Sequence, residues 1–421
     1  MEEDFPDFPD FINTAYRVSL GMGLHRKVSV SNFADHELEV RRRLWWYILH
    51  LDIMSSCSSG LSPLFVDNRM MSVGMISQSD DLRGGEIAEH HIGMFDVRYL
   101  VATKRYTVSS EIRRILRLHF EDGLQTIEQV NEAAAKLQIV AQEVGETVHL
   151  LIAHARVLNP RGPTTSTTES HDNTPRRGVT PFDNAWSFDN GDSEVHNFCA
   201  WAAILIHLMV HKAFCVLYHA LFRDPEMVSD MHIRTSAVVH AQAFLQLFIR
   251  LCNDPTSVPF HWMYPGIYQP LQATSLLIAD LLKFPNSPEA PLSRGLIDAV
   301  FDQFEVDEGL ISIAAPLPRQ LSGTGRDAWN MLAAGRKKAL SMASEDPHVL
   351  LPSRCSYSDI CICGERFAES QRVEQFRRSE VPEDPMSSTA PQDFPPLSLD
   401  DTEFDWYAWD ATVGGVTGFI S

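Results

Sequence analysis

Cysteine is sparse in this chain, and nowhere is it spaced to build a metal module or a disulfide framework. The seven residues, Cys57, Cys199, Cys215, Cys252, Cys355, Cys361 and Cys363, are scattered through 421 positions. Several sit in apolar helical contexts, which reads as reduced thiols in an intracellular protein. Cys355, Cys361 and Cys363, with His348 nearby, have C-x5-C-x-C spacing that matches no familiar closed zinc knuckle, so they too read as free thiols. Positive charge is scarce as well: 35 basic residues face 55 acidic ones, a formal charge of −20. That balance disfavours autonomous binding to a polyanion, because phosphate contacts need clustered Lys and Arg. Long apolar runs are missing. Phe198 to Val210, interrupted by His207, falls short of the ~20 residues a membrane span requires and reads as a buried core helix. The first residues, Met-Glu-Glu-Asp-Phe-Pro, lack the basic and apolar regions of a secretory signal. No G-x-S-x-G elbow and no phosphate loop occurs, so no enzymatic nucleophile has its expected context and no catalytic residue is assigned.

What remains is helix. With 44% hydrophobic residues the chain can bury a substantial core, as one large or two ordinary domains. A first helix is predicted over 11–20, ended by Gly21 and Gly23, residues suited to positive φ. Gly21-Met-Gly23 is not a nucleotide loop, since no strand precedes it and no third glycine follows. A second helix is predicted over 35–56, with Leu38, Trp45, Ile48 and Leu51 near one stripe. Helices over 108–120 and 125–155 follow. In the latter, Ile127, Val130, Ala134, Leu137, Ala141, Val144, Val148 and Leu151 alternate spacings of three and four. That seam suits a dimeric coiled coil, homo- or heteromeric, but two alanines and the lack of flanking charge pattern favour packing within a helical domain. Residues 159–192, rich in Pro, Thr, Ser, Asn and Asp, read as a flexible excursion. Further helices are predicted over 194–221, 230–251, 268–282, 296–304 and 326–343. The expected fold is all-α: an acidic lead over 1–10, an irregular multi-helix domain over 11–345 with a disordered internal linker, a connecting segment over 346–378, and a disordered acidic tail over 379–421.

Two local features invite sharper chemistry. Arg41-Arg42-Arg43 beside Trp45-Trp46 could form a nucleic-acid patch. Glu37 and Glu39 stand four residues before Arg41 and Arg43, however, so ion pairing on a solvated helix face is the expected use. His207 and His211 have the i, i+4 spacing of two zinc ligands, which supports a metal-dependent hydrolase as an alternative. The intervening Leu-Met-Val lacks the glutamate such a hydrolase uses as general base, so neither a metal nor a cofactor is assigned.

The stretch Ala15-Tyr-Arg-Val-Ser-Leu-Gly-Met-Gly-Leu-His25, followed by Glu39-Val-Arg-Arg-Arg-Leu-Trp-Trp-Tyr-Ile-Leu-His-Leu-Asp52, resembles the middle regulatory region of fungal zinc binuclear-cluster transcription factors. Leu205 to Pro225, and Gln269 to Leu282 followed by Pro285, resemble later helices of that region more loosely. The resemblance implies a nuclear regulator of a metabolic or specialised-metabolite pathway. It also implies a six-cysteine zinc module for DNA binding, which this sequence lacks, so DNA contact is expected only through a missing module or a partner. The family's earliest regulatory helices are not recognised ahead of Ala15, which leaves open whether Met1 is the true start. The family's Gly-Arg-Pro turn is here Gly60-Leu-Ser-Pro63.

Beyond Arg378 there is no basic residue, while Glu380, Glu383, Asp384, Asp393, Asp400, Asp401, Glu403, Asp405 and Asp410 follow. Among these carboxylates stand Phe394, Leu397, Leu399, Phe404, Trp406, Tyr407 and Trp409. Proline and charge oppose independent collapse, which is the chemistry of an acidic-hydrophobic activation segment. Phe404, Trp406 and Trp409 are the candidate residues for a coactivator's apolar groove. The competing reading is a tail that docks its aromatics on the chain's own core. The sequence is thus expected to encode a transcriptional regulator whose helical domain controls an activation segment. A non-DNA-binding modulator that assembles with a complete regulator is the alternative. A small-molecule effector in an apolar interhelical cavity is expected without assignable residues.

Overall fold

A helix that runs into two nearby glycines has a ready-made stop, and the first helix uses it. The computed structural model describes residues 8–27, 33–59, 62–64, 71–78, 91–92, 95–122, 126–158, 194–219, 221–223, 230–263, 270–303, 305–307, 310–312, 319–320, 323–342 and Phe404. Helix α1 spans Phe8–Gly21. Beyond it, the Gly23 N–H donates to the Leu20 carbonyl at 2.9 Å and the Leu24 N–H to the Ser19 carbonyl at 3.0 Å, while Gly23 takes a φ of +69°. This is a Schellman closure, in which glycine occupies the left-handed position and the next apolar residue folds back into the core. Leu24 is buried accordingly. Gly21 is still helical, so of the two glycines only Gly23 needs its freedom.

Helix α2, Asp35–Ser59, turns Trp45, Trp46, Leu49, Ile53 and Met54 inward. The predicted stripe was rotated: Trp45 is buried, but Leu38, Ile48 and Leu51 are only half-buried. Trp45 has no exposed surface and stacks with Tyr16 of α1 at 5.8 Å, and Trp46 stacks with Tyr106 at 6.2 Å. Glu39, 3% exposed, gathers Arg42 at 2.9 Å, Arg43 at 3.0 Å and the Ser77 N–H at 3.1 Å. Arg41 instead reaches the Met22 carbonyl at 2.6 Å and covers the Phe33 ring. The arginine run is therefore largely committed within the protein, with the Glu39 to Arg43 pairing as expected and Arg41 bonded elsewhere.

Helix α3 is Val97–Arg117, capped by Asp96, whose carboxylate accepts from the Arg98 N–H at 2.7 Å and the Tyr99 N–H at 3.3 Å. It begins well before the expected residue 108. Val97, Tyr99, Val101, Thr103 and Tyr106 have strand-like composition, and tertiary packing overrides that propensity. Helix α4, Ile127–Leu158, lays Val130, Leu137, Val144, Val148 and Leu151 along α5, Glu194–His219. The seam thus packs within the domain. Helices α6 (Met231–Asn253), α7 (Leu271–Lys283), α8 (Ala290–Gln303) and α9 (Gly323–Ser341) complete the set. Helix α8 starts earlier than expected because Pro291 sits in its first turn, where no intrahelical N–H is missed.

Helix α5 is apolar around its circumference, and 94% of its most apolar window is buried within the protein. By length and composition both α5 and α6 could cross a membrane, but burial on every side is the signature of a core helix. Helices α3, α4, α6 and α7 enclose it. One buried ion pair lies in this layer: Arg234 on α6 holds Asp280 on α7 through two bonds of 2.7 and 3.0 Å and covers the Phe284 ring at 4.3 Å. Strand is confined to two- and three-residue pieces among the described residues. An antiparallel pair joins His91–Ile92 to Phe95–Asp96, and a small sheet joins Glu305–Asp307, Leu310–Ser312 and Arg319–Gln320. The fold is all-α, as expected. The excursion over 159–192, the connecting segment over 346–378 and the tail apart from Phe404 lie outside the described residues, as do Cys355, Cys361 and Cys363.

Gly23→Ala will destabilise the protein by about 1 kcal/mol, since neither glycine's Cβ would meet an atom within 4 Å and only the backbone conformation resists. Gly21→Ala, in helical backbone, will be neutral or slightly stabilising. Urea unfolding of the two variants checks the contrast.

Candidate functional site

The facing sides of α2 and α3 do not close on each other completely. Between them lies a cavity of about 540 Å³. Its α2 wall carries Trp46, Leu49 and Ile53, one apolar stripe at helical spacing. Its α3 wall carries Ser109, Arg113 and Arg117, each four residues from the last and so on one face. Met71 and Leu118 add apolar surface, and Glu111 and Arg114 flank the site, bonded to each other at 2.8 Å.

The polar groups behind the cavity are fixed by a chain of bonds whose directions can be worked out. The Arg105 guanidinium lies 2.8 Å from His50 Nε2. A guanidinium only donates, so Nε2 accepts and the imidazole proton sits on Nδ1. His50 Nδ1 then donates to Ser109 Oγ at 2.9 Å. The Ser109 hydroxyl, its oxygen already accepting, has its own O–H to give. Burial, with the Arg105 and Lys212 charges, drives the His50 pKa well below its ordinary value and keeps the ring neutral, as this pattern requires.

A second buried cluster stands at the same end of the helices. The Leu64 N–H donates to Asp52 Oδ2 at 2.9 Å, and the Leu64 carbonyl accepts from Tyr16 Oη at 3.2 Å and more distantly from Arg113 at 3.4 Å. Asp52 is 4% exposed. Burial raises its pKa to about 7, against the opposing Leu64 bond and Arg113 charge. Burial likewise lifts Tyr16 to about 12.

His207 and His211 do lie together, with ring centroids 4.9 Å apart on α5. His211 Nδ1, however, is 2.9 Å from His240 Nδ1 on α6, and the His240 ring stacks on Phe214 at 3.7 Å. Burial lowers His207 to about 4 and His240 to about 3, and takes His211 well below its usual value, so all three are neutral near pH 7. Among the described residues no group of three or more His, Cys, Asp or Glu is arranged to hold a metal ion. The thiols of Cys57, Cys199, Cys215 and Cys252 are buried.

Of the candidate coactivator residues, Phe404 is described and is 8% exposed. It sits beside Gly335 on α9, where α9 closes on Ile278 of α7: a Cβ on Gly335 would stand 2.8 Å from Ile278 Cγ2 and 3.5 Å from Phe404 Cε2. Trp406 and Trp409 lie outside the described residues. Sequence reasoning did not single out the cavity residues. The four-residue spacing of Ser109, Arg113 and Arg117 was the available signal, but the facing α2 stripe is recognisable only once the helices are paired.

Residues 3–118, which contain α1, α2, α3 and the cavity between the last two, match the fungal specific transcription factor domain. Transcription factor macR of Penicillium terrestre is 25% identical over 299 residues, 69% of this chain and 34% of that protein. Transcription factor yanR of Aspergillus niger is 38% identical over 80 residues, 19% of this chain and 10% of its own length. The acetamidase regulatory protein of Aspergillus fumigatus is 33% identical over 70 residues, 17% of this chain and 9% of its own. The chain spans about a third or less of the length of these relatives. No solved structure matches. The matched family and the relatives are transcription regulators rather than enzymes.

Asp52→Asn supplies a test of the buried cluster. Between about pH 4, where the unfolded carboxyl titrates, and about pH 7, where the folded one does, the native state holds a proton the unfolded chain has lost. Rising pH therefore removes stability through this group, by at most about 1.4 kcal/mol per unit. The variant keeps an acceptor for the Leu64 N–H without that loss. Its stability relative to wild type will rise from about pH 4.5 to pH 7 and then level off in urea titrations.

Proposed function

We propose that this chain, whose residues 3–118 form a fungal specific transcription factor domain, is a nuclear regulator of a fungal metabolic or specialised-metabolite pathway. The observation that carries the reading is the match across α1 to α3, whose signature residues Tyr16, Leu24, Trp45 and Trp46 form one packed cluster. The names of the relatives support regulation of transcription. With its charge of −20 this polypeptide reaches DNA through a zinc module encoded elsewhere or through a partner protein.

The acidic aromatic tail supplies the output. Its carboxylates steer the segment toward a basic coactivator surface, and Phe404, Trp406 and Trp409 enter an apolar groove there. Phe404 cannot occupy that groove and its seat beside Gly335 at once. The helical domain therefore holds the segment back until the seat is vacated.

Residues 379–421 fused to an unrelated DNA-binding domain will drive a reporter, and replacing Phe404, Trp406 and Trp409 together by alanine will reduce the output at least fivefold. A stable, nuclear fusion that gives no output refutes the activation role. In a fusion carrying the whole chain, Gly335→Val will crowd Ile278 and Phe404 and raise output above the unmodified fusion.

A further inference from the structure

We propose that the outward face of α1 and α2 is an interface for a second copy of this chain, in which the two α2 helices pair antiparallel along Val40, Leu44, Tyr47 and Leu51. The inference does not depend on the regulatory reading. It rests on an apolar face that the protein's own core leaves uncovered.

Helix α2 is apolar on two sides. Its inward side is filled by Trp45, Trp46, Leu49 and Ile53, whereas Val40, Leu44 and Tyr47 are exposed and, with half-buried Leu51, step by four, three and four residues. That is the spacing of a seam between helices. Helix α1 repeats it with Phe11, half-buried Ala15, Val18 and Met22. The two stripes approach each other where Arg41, next to Val40 in sequence, reaches the Met22 carbonyl at 2.6 Å. Phe11, Val18, Met22, Val40, Leu44 and Tyr47 are each between 46% and 63% exposed. Together they leave about 500 Å² of apolar surface in water, on the order of the largest patch a monomer normally carries. A standard interface takes about 800 Å² from each partner, so this face supplies most of one and a polar rim the remainder.

The order of the stripe favours a copy over a different partner. Spacings of four, three and four read the same in both directions, so a two-fold axis between Leu44 and Tyr47 sets Val40 against the partner's Leu51 and Leu44 against the partner's Tyr47. Charge agrees with that direction. Antiparallel pairing places Arg43 against the partner's Ile48 and Glu37 against the partner's Met54, whereas parallel pairing would set each arginine and each glutamate against its like. The chain's own acidic tail fits this face less well. Arg42 and Arg43 are bound to Glu39, and Arg41 to the Met22 carbonyl, so the arginines beside the stripe are already engaged and offer carboxylates little. Phe404 of that tail is seated instead beside Gly335 on α9.

Sedimentation equilibrium of the purified full chain tests the proposal. The chain will show a reversible equilibrium between monomer and dimer, and Leu44→Glu or Tyr47→Glu will raise the dimer dissociation constant at least tenfold. Both side chains are exposed, so thermal unfolding measured where the wild type is monomeric will change little and serves as the control for structure. The direction of pairing has its own readout. Val40 and Leu51 are eleven residues apart on α2, about 16 Å along a helix, so the two copies of position 40 in an antiparallel dimer stand about that far from each other. A short bismaleimide added to a mixture of Val40→Cys and Leu51→Cys proteins will therefore join position 40 to position 51, as read by mass spectrometry of the linked peptides, and will not join position 40 to itself. The proposal is overturned if the chain stays monomeric at the highest concentration reached, if the dimer withstands both substitutions, or if position 40 links to itself. None of these measurements involves transcription, so a monomeric chain would leave the reporter result for the tail standing, and a silent tail would leave the dimer standing.

Discussion

A helix that is apolar on every side has no face to offer water, and α5 is such a helix. Its burial requires an enclosing layer, and α3, α4, α6 and α7 supply it. The requirement reaches the functional region through α3. Ile112, Ile115 and Leu116 are buried, which fixes the rotation of α3 about its own axis. Ser109, Arg113 and Arg117 are thereby carried to the side that meets α2. The cavity is thus a by-product of packing in a different layer, where α3 is committed to α5.

Much of this architecture could be read in the chain. The two stretches that resemble the fungal family, one around Tyr16 to His25 and one around Glu39 to Asp52, turn out to be a single packed unit. Tyr16 and His25 both lie against Trp45, so the spacing of the motif reflects contact in space. Glycine stops and the α4 seam were legible because each depends on local geometry of a few residues. The start of α3 was not, because β-branched and aromatic residues there favour strands locally, and only the packing of Val97, Val101 and Val108 decides the outcome. The rotated stripe on α2 has a similar cause. Both tryptophans are buried there, and no apolar period on one sequence says which neighbouring positions follow them inward. The cavity lay furthest from reach, since it brings together residues such as His50 and Ser109, 59 positions apart.

The two ends of the domain share one helix. Gln272, in the first turn of α7, donates to the Cys57 carbonyl near the end of α2 at 3.1 Å. Farther along α7, Ile278 meets the backbone of α9 at Gly335, where Phe404 is seated. A rigid α7 therefore touches both the helix that walls the cavity and the surface that receives the tail. The buried Arg234 to Asp280 pair anchors α7 to α6 just beyond the second of these contacts. Burial raises the Asp280 pKa, and the guanidinium opposes that rise, so removing Arg234 would leave Asp280 without its charge partner in the core.

The enclosed cysteines have a practical corollary. Cys199 and Cys215 on α5 and Cys252 on α6 are held by burial at a pKa of about 12, and Cys57 is shielded within α2. A thiol-specific reagent reaches these four sulfurs only when the surrounding helices part. Labelling rates at Cys57 and at Cys215 would then time the opening of the outer pair and of the central helix separately, making native cysteines built-in chronometers of how this domain breathes.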